Sequence, residues 1–304
     1  MIEVFELKSK KLMKHKKQQN MISSKFPFDG NMDKINWVKT RKILDGAFKI
    51  LKPPAGFHLR TYEKGKIRFE FITPKKKYGD DIIIYIHGGG FVIGSAAQCR
   101  NYTYALADTT GLCVCSIDYP RAPENDIQEM HKVLSSIYDL LTIKYPTSNF
   151  IIGGCSAGGC LALGMVEKII KEKKKKPKCL FLNSPLLDMT GTYKPVNEIE
   201  DVVVSLDCKK PMSKMVLGKY KKKDYLASPL LFVNKYIPKC IISVDNNESL
   251  FTESYVLYNK CLENDVPCKL VISKNGYHAF QGLGNKTPET KELLVMLNNF
   301  IKTE

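Results

Sequence analysis

The sequence predicts an α/β fold with a mostly parallel central sheet. Most of its strand-like stretches are continuous apolar runs rather than in/out alternations, as in "DIIIYIHG" and "FIIGGCS". Such runs are typical of strands buried on both faces. Helical patterns separate many of them, and parallel neighbouring strands require crossover helices of this kind. With 304 residues and 44% apolar content, the chain can form one large domain with a substantial core.

The elements follow in chain order. The first sixty residues are polar and lysine-rich, but a candidate N-cap at Asp33 and apolar residues at helical spacing predict a helix that ends before Pro53. From Ile67 onward, strands and helices alternate. The predicted strands are 67–74, 81–88, 113–120, 150–156, 179–185, 240–245 and 267–273. The predicted helices are at about 127–144, 158–171, 249–264 and 287–302.

One segment interrupts the alternation of strands and helices. From about Met189 to Tyr225 there is no strand pattern, and the stretch holds several lysines and two prolines. Insertions of this kind commonly cover a functional site. We therefore expect an N-terminal cap or lid segment at 1–60 and a main domain at 61–304, with a cap insertion at about 189–225.

The charge of the chain bears on its partners. There are 47 basic and 31 acidic residues, which gives a formal net charge of +16. The lysines stand in separate clumps without interleaved arginine or aromatic residues, so we interpret them as solvated loops and helix ends and expect no nucleic-acid partner. A nuclear-localisation interpretation of the run from Lys171 to Lys178 stays open.

Cysteine usage and the N-terminus predict a cytoplasmic setting. Most of the ten cysteines lie in apolar strand-like runs, which favours buried free thiols over a disulfide framework. Glu3 and Glu6 stand where an export signal would have its apolar core. The longest uncharged stretch, Phe150 to Val166, is too short for a membrane span and is interrupted by glycines. No cysteine and histidine set has zinc spacing, so we expect no metal.

The stretch "FIIGGCSAGGCLALGMV" contains the first chemical motif. It places Gly154-Cys155-Ser156-Ala157-Gly158, a GxSxG pattern, between an apolar strand and a helix. A serine on so tight a turn is held in a strained backbone conformation with its hydroxyl projecting, and glycines on either side avoid clashes. The helix start adds a positive dipole end near a developing oxyanion. The motif predicts Ser156 as a nucleophile.

The stretch "HGGGFVIG" supplies the second motif. A glycine run at the end of a buried strand lets the main chain approach a substrate with its N–H groups turned outward. Gly88 and Gly89 can provide two oxyanion donors, and Ala157 can provide a third. A phosphate-binding loop is the alternative, but the GxGxxG spacing and the lysine of a P-loop are missing.

A serine nucleophile needs a base and a carboxylate. Of the five histidines, only His278 follows Ser156, and it lies in the loop after the last predicted strand. This agrees with the order serine, carboxylate, histidine of hydrolases with a strand-turn-helix nucleophile. The strand that ends "CIISVD" leads to Asp245 and Glu248, and spacing alone does not decide between them.

Together these motifs resemble the hormone-sensitive-lipase-like family of α/β hydrolases, which includes arylacetamide deacetylases and bacterial acyl esterases. HGGG is followed about seventy residues later by GCSAGG, and the likeness extends over about residues 67–300. "DYPRAPE" at Asp118, "NSPLLD" at Asn183 and "DYLASPLL" at Asp224 are also similar to segments of that family. The resemblance implies an α/β-hydrolase fold with a helical cap.

The resemblance also bears on the choice of acid. In the family, the acid opens a segment Asp-Pro-Leu-x-Asp-Glu about thirty residues before the histidine. Aligning Leu250 and Glu253 with that segment implies Glu248 rather than Asp245. The chain departs from the pattern at Cys155, where the family usually has aspartate, and in "ESLFTE" and "HAF". These departures concern substrate preference and efficiency more than the reaction.

The expected function is a serine esterase that hydrolyses small, short-acyl carboxylic esters through an acyl-enzyme, without a cofactor. An amide deacetylase or peptidase of the same fold is an open alternative. A non-catalytic small-molecule receptor is another open alternative. Receptors of this fold that resemble esterases have lost the catalytic histidine, whereas this chain has His278. The sequence does not indicate the physiological substrate or the oligomeric state.

Overall fold

A nine-stranded sheet with helices on both faces forms the body of the protein in the computed structural model. The structure describes residues 1–24, 28–48, 53–196 and 199–303. The strand order is β1-β9-β8-β7-β6-β4-β5-β3-β2. The strands are β1 (Ile2–Glu6), β2 (His58–Lys64), β3 (Ile67–Thr73), β4 (Ile82–Ile86), β5 (Cys113–Ile117), β6 (Phe150–Cys155), β7 (Cys179–Asn183), β8 (Lys239–Asp245) and β9 (Cys268–Lys274).

The direction of the strands confirms the predicted mostly parallel sheet. Only β3 pairs antiparallel with β2 and β5 among these strands, and every other neighbouring pair is parallel. Strands β4, β5, β6 and β7 are buried along their whole length. Continuous apolar runs form them because helices cover both of their faces.

Eight α-helices stand in the described part of the chain. They are α1 (Lys10–Ser23), α2 (Trp37–Phe48), α3 (Arg100–Thr110), α4 (Ile127–Lys144), α5 (Ala157–Lys171), α6 (Lys209–Val216), α7 (Phe251–Glu263) and α8 (Pro288–Lys302). Helices α4, α5 and α7 pack in one core cluster with one face of the sheet, whereas α3 and α8 pack in the other. None of the helices described here is long and apolar enough to cross a bilayer.

The predicted helices agree with α4, α5, α7 and α8 to within about two residues. Asp126 caps α4 by accepting a hydrogen bond from the Glu129 N–H at 3.0 Å, and Thr287 forms a capping box with Thr290 on α8. Such side-chain acceptors satisfy backbone donors that a helix start leaves free.

Five of these strands and helices were not predicted from the sequence, namely β1, β2, α1, α3 and α6. Strand β1 pairs parallel with β9 at the sheet edge, so the first residues of the expected cap segment belong to the sheet. The predicted N-terminal helix appears as α2, but Asp33 is not its N-cap, because Asp33 lies in a short 3-10 helix (Met32–Lys34) and α2 begins at Trp37. The predicted end of the helix before Pro53 lies outside the described residues.

The two segments expected to form a cap contact each other. Phe28 forms an isolated parallel β-bridge with Val204, and the Ser205 N–H donates to the Phe28 carbonyl at 2.9 Å. The Phe28 ring stacks on Trp37 with centroids 5.5 Å apart. The contacts of Phe28 with Val204 and Ser205 therefore connect the N-terminal segment to the 189–225 segment.

Candidate active site

Ser156 lies on the tight turn between β6 and α5. Its backbone has φ 54° and ψ −122°, which a residue with a side chain rarely adopts. The Ser156 N–H donates to the Asn183 carbonyl at 3.0 Å. Its own carbonyl accepts from the N–H groups of Gly159 at 2.8 Å and Leu186 at 3.0 Å. These bonds hold the strained conformation that the GxSxG motif predicts.

Gly158 allows helix α5 to cross close above the end of β4. A Cβ atom added at Gly158 would lie 2.2 Å from the Ile86 carbonyl oxygen and 2.4 Å from that of His87. No side chain fits at such distances. The second glycine of the motif is therefore required by packing between the turn and the neighbouring strand.

The glycine run after β4 bends back against the serine. Gly89 has φ +110°, and its carbonyl accepts hydrogen bonds at 3.0 Å from the N–H groups of Val92 and Ile93. This tight turn brings Gly88 beside the nucleophile turn, where an added Cβ would lie 3.2 Å from Ser156 Cβ. Gly88 and Gly89 line the same cavity as Ser156, and Ala157 is the buried first residue of α5.

His278 lies between the serine and a carboxylate. Its Nε2 atom is 2.9 Å from Ser156 Oγ, and its Nδ1 atom is 2.6 Å from Glu248 Oε2. The imidazole is buried, with 6% of the residue exposed. The three side chains that the motifs and the resemblance select, although distant in the chain, thus form one continuous hydrogen-bonded row.

Glu248 is held in place by the body of the domain. Its Oε1 atom accepts from Ser184 Oγ at 2.7 Å and from the Asp245 N–H at 2.9 Å, while Oε2 bonds the imidazole. Charge-assisted hydrogen bonds on both oxygens fix the carboxylate in one orientation. Ser184 also accepts a hydrogen bond from the Ala279 N–H at 3.2 Å, directly after His278.

Asp245, the alternative acid, contacts the backbone instead of the imidazole. Its carboxylate accepts from the N–H groups of Gly276 at 2.7 Å and Asn247 at 3.2 Å. Burial, together with the nearby charge of Glu248, raises the pKa of Asp245 to about 6. The geometry pairs Glu248 with His278, and Asp245 supports the loop that carries the histidine.

Opposing effects act on the pKa of the His278 imidazole. Burial alone lowers the pKa of His278, but the charge of Glu248 and its hydrogen bond raise it, with a smaller contribution from Asp201, and the net shift is upward. The protonated imidazole is therefore stabilised where a general base must carry a proton.

Two polar neighbours were missed by the sequence analysis. Ser184 lies in "NSPLLD", quoted above only as a family segment, and no sequence signal singled out Asp201. Polar atoms of Asp201, Glu248 and His278 all lie within 4.8 Å of one another. We assign no metal to this group, because the imidazole is bonded to Glu248 and the Asp201 oxygens accept backbone N–H groups.

Two other histidines are buried away from the row. His87 stacks on Tyr119 with centroids 4.2 Å apart, and burial lowers its pKa to about 3. His131 lies on α4 with Nε2 3.3 Å from the Leu226 carbonyl oxygen, and burial likewise lowers its pKa to about 3. Both imidazoles are therefore neutral near pH 7.

A cavity of about 380 Å³ opens above Ser156. Its walls are mostly apolar. The main domain contributes Tyr85, Tyr102, Leu250, Tyr277 and Leu283, and the two segments that we expect to form a cap contribute Gln19, Phe28, Val203, Val204, Cys208 and Met212. This composition suits a small apolar ligand with its reacting group at the serine.

Comparison with known proteins identifies the family of the chain. Residues 83–282, more than half of the chain, match the family described as alpha/beta hydrolase fold. The chain belongs to this family. An esterase of Acinetobacter venetianus is 26% identical over 264 residues, covering 86% of this chain and 87% of that protein. An acetyl-hydrolase of Streptomyces hygroscopicus is 22% identical, covering 79% of this chain and 81% of its own.

Solved structures show the same fold. An esterase from the bacterial hormone-sensitive lipase family superposes with a TM-score of 0.86 at 22% identity, covering 97% of this chain and 98% of its own. A hormone-sensitive lipase from a metagenome library gives 0.82 at 23% identity, covering 95% and 97%. The resemblance is confirmed, and the hydrolase acts on carboxylic esters.

Proposed function

We propose that this hydrolase is a serine esterase in which Ser156 is the nucleophile, His278 the general base and Glu248 the acid that orients the base. The observation that carries the proposal is the row from Ser156 Oγ to His278 Nε2 at 2.9 Å and from His278 Nδ1 to Glu248 Oε2 at 2.6 Å. A serine hydroxyl is weakly nucleophilic until a base takes its proton, and this row provides that base.

The reaction proceeds in two steps. Ser156 Oγ attacks the ester carbonyl carbon while His278 Nε2 takes its proton, and the carbonyl oxygen becomes negative. The N–H groups of Gly88, Gly89 and Ala157 stabilise this oxyanion, and the start of α5 adds a positive dipole end. His278 then protonates the leaving alcohol, and an acyl-enzyme remains. Water, deprotonated by the same imidazole, releases the acid.

We propose that the substrates are small esters with short acyl chains. The cavity of about 380 Å³ is at the lower end of ligand-pocket volumes, and its walls are mostly apolar. The relatives include the acetyl-hydrolase noted above and a 3-O-acetylpapaveroxine carboxylesterase of Papaver somniferum that is 26% identical over 250 residues. The names of both relatives support an acetyl-sized acyl group.

The cap is proposed to act as a lid that sets specificity. Phe28 from the N-terminal segment and Val203, Val204 and Met212 from the 189–225 segment line the cavity. Changing these side chains alters the shape of the site without changing Ser156 or His278.

We propose that the protein is located in the cytoplasm, because all ten cysteines are free thiols and nine of them are buried.

The test is hydrolysis of p-nitrophenyl acetate by the purified protein and by Ser156→Ala. We expect the variant to lose activity by at least about a thousandfold, because the nucleophile is absent. Ser136→Ala on α4, which does not line the cavity, serves as the matched control and should retain full activity.

Two further assays separate the alternatives. No activity in either the parent protein or Ser156→Ala would contradict the esterase and favour the receptor. A panel of p-nitrophenyl esters of increasing acyl length, run beside the corresponding anilides, tests the short-acyl proposal. Faster hydrolysis of the anilides would favour the amide deacetylase, and faster hydrolysis of long-chain esters would overturn the proposed chain length.

A further inference from the structure

A carboxylate from the cap segment lies beside the base. Polar atoms of Asp201, Glu248 and His278 are all within 4.8 Å of one another, although Asp201 precedes Glu248 by more than forty residues. Glu248 forms the hydrogen bond to His278 Nδ1 at 2.6 Å. Asp201 is therefore a second nearby negative group, brought to the imidazole by the cap.

Three backbone donors fix the Asp201 carboxylate. Its Oδ1 atom accepts from the N–H groups of Val203 at 2.9 Å and Val204 at 3.0 Å. Its Oδ2 atom accepts from the N–H of Ser249 at 2.9 Å. Ser249 directly follows Glu248, and Val203 and Val204 line the cavity. One carboxylate thus connects the substrate-facing part of the cap to the loop of the acid.

We propose that Asp201 is a positioning residue for ester hydrolysis, whose charge stabilises the protonated His278 and whose hydrogen bond to Ser249 holds the loop of Glu248. This inference rests on the proposed serine mechanism. A negative charge a few ångströms from an imidazole favours its protonated form, and that form arises in each step of acyl transfer.

The groups around the imidazole agree with this role. Glu248 faces it from the loop after β8, Asp201 from the cap, and the Ser156 hydroxyl from the start of α5. The Asp245 N–H donates to Glu248 Oε1 at 2.9 Å, and the Asp245 carboxylate accepts from the Gly276 N–H. Glu248 and Asp201 both raise the pKa of His278 against the effect of burial. Asp201 is partly exposed, so solvent screening reduces its contribution to the pKa of His278.

The test is Asp201→Asn, an isosteric change that removes the charge. We expect kcat/KM for p-nitrophenyl acetate to fall by roughly threefold to tenfold, because a protonated imidazole is less stabilised in the transition state. The acid limb of the kcat/KM profile should move to lower pH, because His278 then releases its proton more readily.

Two controls separate charge from structure. Ser249→Ala removes the hydrogen bond from Ser249 Oγ to the Val204 carbonyl, 2.6 Å long, and loosens the same segment without changing charge. It should leave the acid limb in place whatever its effect on rate. Asp207→Asn removes an exposed charge from the same segment and should leave both rate and acid limb unchanged.

An NMR titration of the His278 imidazole tests the inference without measuring ester hydrolysis. We expect its midpoint in Asp201→Asn to lie at lower pH than in the parent protein, with His278→Gln used to assign the signal. A midpoint and acid limb that coincide with those of the parent protein overturn the inference, even if the rate falls. Failure of the proposed serine mechanism is recognised by a different result, namely ester hydrolysis that persists in the Ser156→Ala variant.

Discussion

The carboxyl end of the sheet and the cap above it are held by different kinds of contact. Around Ser156, backbone groups bond one another, as in Ser156 N–H to the Asn183 carbonyl at 3.0 Å and Ser184 N–H to the Ser243 carbonyl at 2.7 Å. The cap is tied to the body largely through side chains, including a buried ion pair between Lys209 and Glu253. Backbone bonds depend little on side-chain identity, whereas side-chain ties can be lost by one substitution.

This difference indicates that the two regions have different roles. Under the proposed mechanism, the body fixes the reacting groups, and the proposed cap shapes the cavity and can vary without disturbing them. Asp201 is the exception, because it belongs to the cap segment and lies within 4.8 Å of the base. Substitutions in the body should therefore alter the chemical step most, and substitutions in the cap should alter binding and stability.

The largest expected effect is that of Glu248→Gln. The amide keeps the shape of the side chain but removes the charge that stabilises protonated His278, so kcat should fall by about 10²- to 10⁴-fold. The acid limb of the activity profile should also move to lower pH, since the charge of Glu248 raises the pKa of His278. Steady-state kinetics on p-nitrophenyl acetate across pH measure both effects.

Asp245→Asn is the matched control, because it neutralises the buried carboxylate at the end of β8, three residues before Glu248. It should reduce kcat by less than about tenfold, since the carboxylate bonds the Gly276 N–H rather than the imidazole. A loss on Asp245→Asn equal to or greater than that on Glu248→Gln would contradict the assignment of the acid.

The next effect is expected in the cap, for Lys209→Met. The change leaves Glu253, which also accepts from the N–H groups of Leu187 and Asp188, buried without its cation. Urea unfolding at pH 7 should show a loss of about 2 to 4 kcal/mol, with kcat little changed.

Lys210→Met is the control, as it removes an exposed charge from the neighbouring position of α6. The double variant Lys209→Met with Glu253→Gln should recover part of the lost stability, because the uncompensated charge is gone. A single variant as stable as the parent protein would show that the ion pair does not hold the cap.

The smallest effect concerns Glu167, a buried carboxylate of the body on α5. Burial raises its pKa to about 7, although the charge of Lys171 and a hydrogen bond from Asn234 lower it. A folded-state pKa above the ordinary value of 4.5 means that stability is lost as pH rises through this range. The Glu167→Gln variant has no carboxyl group at this position, so its stability does not fall in this way as pH rises.

The unfolding free energy of Glu167→Gln relative to the parent protein should therefore rise by about 2 to 3 kcal/mol between pH 5 and pH 8. Urea titrations at the two pH values measure it, and Glu263→Gln, at an exposed position, is the control. A difference that is constant with pH, or that falls, would contradict this account. The lowered pKa of His131 acts in the opposite direction in both proteins and cancels in the comparison.

Much of the fold could be predicted from local patterns. Buried parallel strands and amphipathic helices produce strong patterns, so seven strands and four helices of the body were anticipated. Strand β1 was missed because a short edge strand, half exposed and rich in glutamate, carries little apolar signal. Its place is set by pairing with β9, a contact between the two ends of the chain.

The sequence by itself determined which residue types could carry the chemistry and in which chain order, because the nucleophile turn and the glycine run are local backbone requirements. Only the tertiary structure decided which carboxylate meets His278. Asp245 and Glu248 are three residues apart, and the folded loop turns one to the Gly276 N–H and the other to the imidazole. It also brought Asp201 to the site, because that approach depends on how the cap packs on the body, which no local pattern encodes.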